Sequence, residues 1–181
     1  MSNTRLAARY ASPILELADQ QGVLEEVKND MKLFLDLCKS NRELALMLKS
    51  PIIPHLKKAE ILKKIFDKKM NKLTLTAFDV ISRKNREAVL PQIAQVFLEK
   101  YNVKKGIQEV KLTTATPLTD ELRKKFSELV KKISKKEPLI IEKVDPDVIG
   151  GYLLKMGDQQ LDESISGHLK EIGLKFKNET I

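Results

Sequence analysis

Residues 104–113 have the sequence Lys104-Lys105-Gly106-Ile107-Gln108-Glu109-Val110-Lys111-Leu112-Thr113, and the spacing of apolar residues changes within this segment. After Gly106, apolar and polar residues alternate, and this period of two predicts a β-strand. Before Gly106, apolar residues recur every three or four positions, which predicts helices. The change predicts two domains, a helical one over residues 1–105 and one of mixed structure over residues 106–181.

The helical half contains six apolar stripes with helical spacing, separated by glycine, proline or asparagine. Pro51 and Pro54 separate the third stripe from the fourth, and Asn71 can cap the fifth helix. The stripes begin at Leu6, Leu24, Leu44, Ala59, Leu73 and Leu90. Six helices joined by short connections predict a mainly α fold with an N-terminal six-helix bundle.

Two features of this half leave alternatives open. The apolar residues of the fifth helix spread over an arc of roughly 220°, so the helix is either buried on most sides or faces a partner. Pro13 lies inside the first stripe, where it kinks the helix unless Ser12 caps a new start.

The second half has the pattern of a small α+β domain. Strands are predicted over residues 110–113, 139–144, 152–156 and 159–162. Thr119 can cap a helix that ends before Pro138, and Ser164 can cap the last helix. Such a small unit has a marginal core and is expected to depend on a partner for stability.

Composition narrows the function classes. The chain has 181 residues, with 33 basic and 25 acidic ones, which gives a net charge of +8. No apolar run approaches the length of a transmembrane helix, and the start of the chain lacks a hydrophobic signal core. Cys38 is the only cysteine and lies on the apolar face of a predicted helix, which favours a buried thiol in a reducing compartment.

The sequence contains no recognisable catalytic constellation of residues. The two histidines, His55 and His168, are far apart, so a Cys/His zinc site is not expected. There is no phosphate-binding glycine-rich motif. We therefore expect a binding protein with no catalytic, cofactor-binding or metal-binding residues.

Motifs along the whole chain resemble those of one known family. Arg9-Tyr10-Ala11 lies in the first helix, Asn85-Arg86 follows the fifth, and Asp145-Pro146-Asp147-Val148-Ile149-Gly150-Gly151 precedes the third strand. The C-terminal motif residues are Gly150, Gly151, Gly157, Asp158, Asp162, Ser164 and Ile165. In this order and spacing they resemble the delta subunit family of bacterial F-type ATP synthases, whose mitochondrial counterpart is the oligomycin-sensitivity-conferring protein. Pro13 departs from the family pattern.

These motif positions have structural explanations. The glycine pair allows close backbone packing at a strand entry, and Gly157 supplies a positive φ in a turn. Asn85 is suited to a left-handed helix stop, and Ser164 to a helix N-cap. Most of these residues are therefore expected to fix the fold.

The resemblance implies a non-catalytic stator subunit of a rotary ATP synthase, peripheral to the cytoplasmic face of a bacterial cell membrane and present once per complex. It implies that the N-terminal domain binds the N-terminal helix of an alpha subunit on the catalytic head, and that the C-terminal domain binds the b subunits of the peripheral stalk. The implied alpha-binding groove lies between the first and fifth helices. Its candidate residues are Tyr10, Ala11, Ile14, Ala18, Phe78, Val80 and Ile81, with Arg83 and Arg86 at the rim. No cofactor is implied.

The alternative is a basic helical protein that binds nucleic acid, since the 27 lysines include several adjacent pairs. Against this reading, the pairs recur on the predicted outer faces of helices. The chain has only six arginines and no aromatic-rich strand on which bases could stack.

Overall fold

The computed structural model describes residues 3–67, 69–157 and 159–179, which fall into two compact units, Met1–Tyr101 and Asn102–Ile181. The N-terminal unit is helical, as predicted. Its helices are α1 (Asn3–Gln20), α2 (Leu24–Ser40), α3 (Arg42–Lys49), α4 (His55–Phe66), α5 (Lys72–Arg83) and α6, which begins at Leu90 and ends at Lys104. A short 3₁₀ turn at Glu87–Val89 connects α5 to α6.

Three phenylalanine rings form the centre of the N-terminal unit. Phe34 of α2 contacts Phe66 of α4 and Phe78 of α5, with ring centroids 5.8 and 4.8 Å apart. All three side chains are buried. The wide apolar arc of α5 is thus explained in part by burial, because Phe78 and Ile81 point into this core.

The N-terminus of α5 is fixed to α2 by a buried carboxylate. Asp30 Oδ2 accepts hydrogen bonds from the backbone N–H of Asn71 at 2.8 Å and from the Thr74 hydroxyl at 2.7 Å. The Asn71 side chain also caps the helix by accepting from the N–H of Leu73 at 2.9 Å. A negative charge at a helix N-terminus is favourable, so Asp30 holds α5 in place while compensating its dipole.

Lys58 of α4 corrects the expectation that the paired lysines lie on outer helix faces. It is only 3% exposed, and its Nζ lies 2.6 Å from Oε1 of Glu87 and donates to the carbonyl of Leu48 at 3.1 Å. The sequence pattern did not predict the burial of Lys58, because its partner carboxylate, that of Glu87, is distant in the chain. A buried ammonium group requires such partners.

Pro13 does not divide the first helix, because α1 is continuous through it. The Ser12 hydroxyl donates to the carbonyl of Ala8 at 2.9 Å and does not cap a second helix. At the end of α5, Asn85 has a φ of 55°, which is the left-handed stop that its sequence position predicts.

The C-terminal unit has a four-stranded sheet with α7 (Asp120–Ser134) and α8 (Ile165–Glu179). The strands are β1 (Ile107–Thr114), β2 (Glu137–Val144), β3 (Tyr152–Met156) and β4 (Gln159–Asp162), in the order β2-β1-β3-β4. β1 and β2 are parallel and joined through α7, whereas the other neighbouring pairs are antiparallel. The mainly α fold with a small α+β unit is therefore confirmed.

The core of the C-terminal unit lies between the sheet and α7. Val110, Leu112 and Leu154 of the sheet are buried together with Val130 of α7. Partly buried residues surround them, including Phe126 of α7, whose ring contacts that of Tyr152 edge to face at 4.9 Å. One face of the sheet is therefore covered by a helix.

Candidate helix-binding groove

An apolar groove with a volume of about 480 Å³ runs between α1 and α5 of the N-terminal unit. Most of its lining side chains are aliphatic or aromatic. From α1 and the residue that follows it come Tyr10, Pro13, Ile14, Leu17 and Gln21, and from α5 come Lys72, Leu73, Thr76, Ala77, Val80 and Ile81. Such a lining can accept the apolar side chains of a partner helix.

Four of the predicted groove residues line this space. Tyr10 is half-buried and Val80 is 47% exposed, so both present side-chain surface to an occupant. Ile14 and Ile81 are buried and form the floor. The structure thus brings together residues from two helices that lie about seventy positions apart in the sequence.

Other predicted groove residues lie elsewhere. Ala11 and Ala18 have no exposed surface, because they are on the side of α1 that packs against the bundle, where a small side chain lets the helices approach closely. Phe78 is in the aromatic core and borders a different groove, between α4 and α5. The apolar periodicity predicted that these side chains face inward. It did not distinguish positions in the bundle core from positions that line the groove.

The two predicted rim arginines also differ in position. Arg83 lines the α4–α5 groove, and its Nε lies 2.8 Å from Oδ2 of Asp79, one turn earlier. Arg86 is exposed in the connection after α5. Neither is among the residues that line the α1–α5 groove.

The sequence prediction omitted Leu17 and Lys72. Leu17 follows Ile14 by three positions and Tyr10 by seven, so helical periodicity could have placed it in the groove, and it is 47% exposed. Lys72 is the charged residue of the lining, and it lies in the first turn of α5, where a cation is electrostatically unfavourable.

In the C-terminal unit, the motif residues hold the strand entry against the start of α8. Gly151 has a φ of 77°, and a Cβ there would overlap the carbonyl oxygen of Glu163. A Cβ on Gly150 would come within 2.8 Å of Cδ1 of Ile165. These two close approaches explain why the strand begins with two glycines.

A second set of contacts caps α8. Asp162 Oδ1 accepts from the hydroxyl of Ser164 at 2.5 Å and from its backbone N–H at 3.0 Å, and the same hydroxyl accepts from the N–H of Gly167 at 3.0 Å. Gly157 has a φ of 57° in the turn after β3, and Asp158 lies outside the described residues. The capping contacts give Asp162 and Ser164 a structural role, and the positive φ gives one to Gly157.

Comparison with known proteins identifies the family. Residues 6–176 match the protein family described as ATP synthase delta (OSCP) subunit. The chain is 38% identical to ATP synthase subunit delta of Cytophaga hutchinsonii, over all of this chain and 99% of that protein. It is 37% identical to ATP synthase subunit delta of Amoebophilus asiaticus, over 97% and 96% of the two chains. The chain belongs to the ATP synthase delta (OSCP) subunit family.

A solved structure shares the fold of this delta-family chain. It is a chain of the Toxoplasma gondii mitochondrial ATP synthase hexamer, with a TM-score of 0.76 and 22% sequence identity over 94% of this chain and 97% of that one. The resemblance predicted from the sequence motifs is confirmed by the family match and by the relatives.

Within the described residues of this delta-family subunit, no cluster of three or more His, Cys, Asp or Glu side chains could hold a metal ion. Cys38 is half-buried, and burial raises its pKa to about 11, so its thiol stays protonated and is a poor nucleophile at neutral pH. No helix among the described residues has the length and apolar content that a membrane span requires.

Proposed function

We propose that this delta-family subunit is a non-catalytic connector in the stator of a bacterial F-type ATP synthase. Its N-terminal domain, residues 1–105, binds the N-terminal helix of an alpha subunit on the catalytic head. Its C-terminal domain, residues 106–181, binds the b subunits of the peripheral stalk. One copy in each complex is held at the cytoplasmic face of the membrane by these contacts.

The α1–α5 groove is the observation that carries the proposal. A helix binds a protein surface by placing apolar side chains, spaced three or four positions apart, in an apolar groove. The groove is bounded by two helices, and Tyr10, Leu17 and Val80 offer partly exposed apolar surface along it. An amphipathic alpha-subunit helix has the shape and chemistry that this space accepts.

A connector needs strong interfaces and no chemistry of its own. Rotation in the synthase exerts torque on the catalytic head, and the stator must stop the head from turning with the rotor. The groove agrees with this role, because most of its lining side chains are apolar, as the binding of a partner helix requires. The family membership of the chain supports the same role.

A reconstitution experiment tests the proposal. Membranes that contain the synthase are stripped of the delta subunit and the catalytic head, and the head is added back with or without this protein. We expect ATP-driven proton pumping only when the protein is present, while the free head hydrolyses ATP in either case. Full coupling without the protein would contradict the connector role.

A further inference from the structure

The α1–α5 groove has one charged end. Lys72, in the first turn of α5, is the charged side chain among the residues that line the groove, and it is exposed. Asn71 beside it donates through Nδ2 to Oε2 of Glu26 at 2.6 Å, so α5 begins next to the start of α2. Gln21 connects the end of α1 to the start of α2. It therefore lines the groove at the same end as Lys72.

The other end of the groove is apolar. Val80 follows Lys72 by eight residues on α5, which corresponds to a rise of about 12 Å along the helix. Tyr10 precedes Gln21 by eleven residues and lies towards the same distant end. A helix that fills the groove therefore meets apolar surface at one end and an ammonium group at the other.

The fold provides no ionic partner for Lys72. Within the described part of the chain, no carboxylate lies at ion-pair distance from its Nζ. Two carboxylates at the start of α5 are already hydrogen-bonded, Asp30 to Asn71 and Thr74, and Glu26 to the Asn71 side chain. A cation in the first turn of a helix is also unfavourable. The charge of Lys72 is therefore available to an occupant of the groove.

Apolar contacts alone do not define the direction of a bound helix. Side chains spaced three or four positions apart form a similar apolar stripe whichever way the helix runs. Charged groups at an interface, in contrast, fix the register and select the partner. A single cation at one end of an apolar groove makes the two directions unequal.

We propose that Lys72 pairs with a carboxylate of the alpha-subunit helix and thereby determines the direction in which that helix lies in the groove. This inference rests on the proposed function and adds the residue that orients the partner. Because Lys72 and Val80 are about 12 Å apart along α5, the carboxylate lies about seven or eight residues from the apolar side chain that contacts Val80. A helix in the opposite direction would bring its carboxylate against Val80, which is unfavourable.

The test measures binding of the N-terminal peptide of the alpha subunit from the same synthase to the full-length protein. Lys72→Met removes the charge and keeps an unbranched apolar stem. We expect it to weaken binding about fivefold and to make the affinity less dependent on salt, because an ion pair is lost. Lys69→Met is the matched control and should bind like the wild type, since Lys69 is exposed and does not line the groove. Weaker binding with an unchanged salt dependence would assign the contact to the stem of Lys72 and would overturn the inference.

Charge reversal locates the partner carboxylate. Lys72→Glu should weaken binding of the natural peptide more than Lys72→Met does. Peptides in which each carboxylate is replaced in turn by lysine are then added to Lys72→Glu, and one of them should regain most of the affinity. A double-mutant cycle with Val80→Ala identifies the peptide side chain that contacts Val80, which should lie two helical turns from the rescuing position. Rescue by no peptide, or by all of them equally, would overturn the inference.

The thermal stability of the free protein separates a binding role from a structural one. Lys72→Met removes a cation from the first turn of α5, so the melting temperature should stay the same or rise while the affinity for the peptide falls. A residue that only stabilises the fold would not separate the two measurements in this way. A lower melting temperature would show that the fold depends on the charge of Lys72 and would overturn the inference.

The remaining outcomes distinguish this inference from the proposed function. If Leu17→Asp and Val80→Asp weaken peptide binding while both Lys72 variants bind like the wild type, the groove holds the helix without an orienting charge, and the connector role stands. If the wild type does not bind the peptide, the proposed function fails together with this inference.

Discussion

Lys58 and Glu87 lie 29 positions apart in the chain, yet their side chains form a buried ion pair of 2.6 Å. The pair links α4 to the turn between α5 and α6, and Lys58 also reaches the end of α3 through the carbonyl of Leu48. Three segments of the bundle therefore meet at one ammonium group. The first prediction follows from this arrangement.

Removing one member of the pair should leave a buried charge without its partner. We expect Lys58→Met to lower the free energy of unfolding by about 3 kcal/mol or more. Combining it with Glu87→Leu should restore part of the loss, because no unpaired charge remains. Urea unfolding followed by circular dichroism measures both effects. Lys57→Met, at an exposed position, is the control, and equal losses in Lys57→Met and Lys58→Met would contradict the prediction.

The groove between α1 and α5 should bind an alpha-subunit peptide through its exposed apolar residues. We expect Leu17→Asp and Val80→Asp each to weaken binding of the N-terminal alpha peptide by about 2 kcal/mol, because a charge in a desolvated groove is unfavourable. The measurement is isothermal titration calorimetry with the peptide. Leu46→Asp is the matched control, since Leu46 of α3 is 56% exposed and lies outside the groove. Unchanged affinity in both groove variants would place the peptide elsewhere.

Gly151 should not tolerate a side chain. Gly151→Ala adds a Cβ against the Glu163 carbonyl at a positive φ, so we expect a loss of more than about 2 kcal/mol in the C-terminal unit. Gly157→Ala has a similar φ with open space around it and should cost about 1 kcal/mol. Differential scanning calorimetry compares the two variants. A smaller effect at position 151 than at position 157 would be evidence against this packing.

Asp162 should make the stability of the C-terminal unit depend on pH. Hydrogen bonds from the Ser164 hydroxyl and backbone N–H lower the pKa of the Asp162 carboxyl. A carboxyl whose pKa is lower in the folded state stabilises the fold above its unfolded pKa of about 4, and this contribution disappears as the pH falls through the folded-state pKa. The melting-temperature difference between wild type and Asp162→Asn should therefore be greatest at neutral pH and shrink in acid. Glu128→Gln, at an exposed position on α7, should show no such trend.

The sequence predicted the helices and strands because most of them bury one face, and burial leaves a periodic signature. It also predicted the left-handed stop at Asn85, a local property of the backbone. It failed at Lys58, whose burial depends on a carboxylate from another part of the chain. Local patterns do not contain such distant partners.

The groove was predicted only in part for a similar reason. Helical periodicity shows that Ala11 and Leu17 are on the apolar side of α1, but not which of them is covered by the bundle. The structure buries Ala11 fully and leaves Leu17 47% exposed, so an aspartate at position 11 should unfold the unit and would not report on binding. The difference in exposure between Ala11 and Leu17 depends on how α5 packs beside α1, and this packing belongs to the tertiary structure.

The fifth helix is fixed at both of its ends. Asp30 accepts hydrogen bonds from Asn71 and Thr74 at the first turn, and Glu87, four residues beyond the last, is ion-paired to Lys58. A helix that is held near both ends bends less under a lateral force than a helix that is held at one end. A force applied to α5 by an occupant of the groove is therefore shared between α2 and α4, so the groove wall is stiff without any contribution from the occupant.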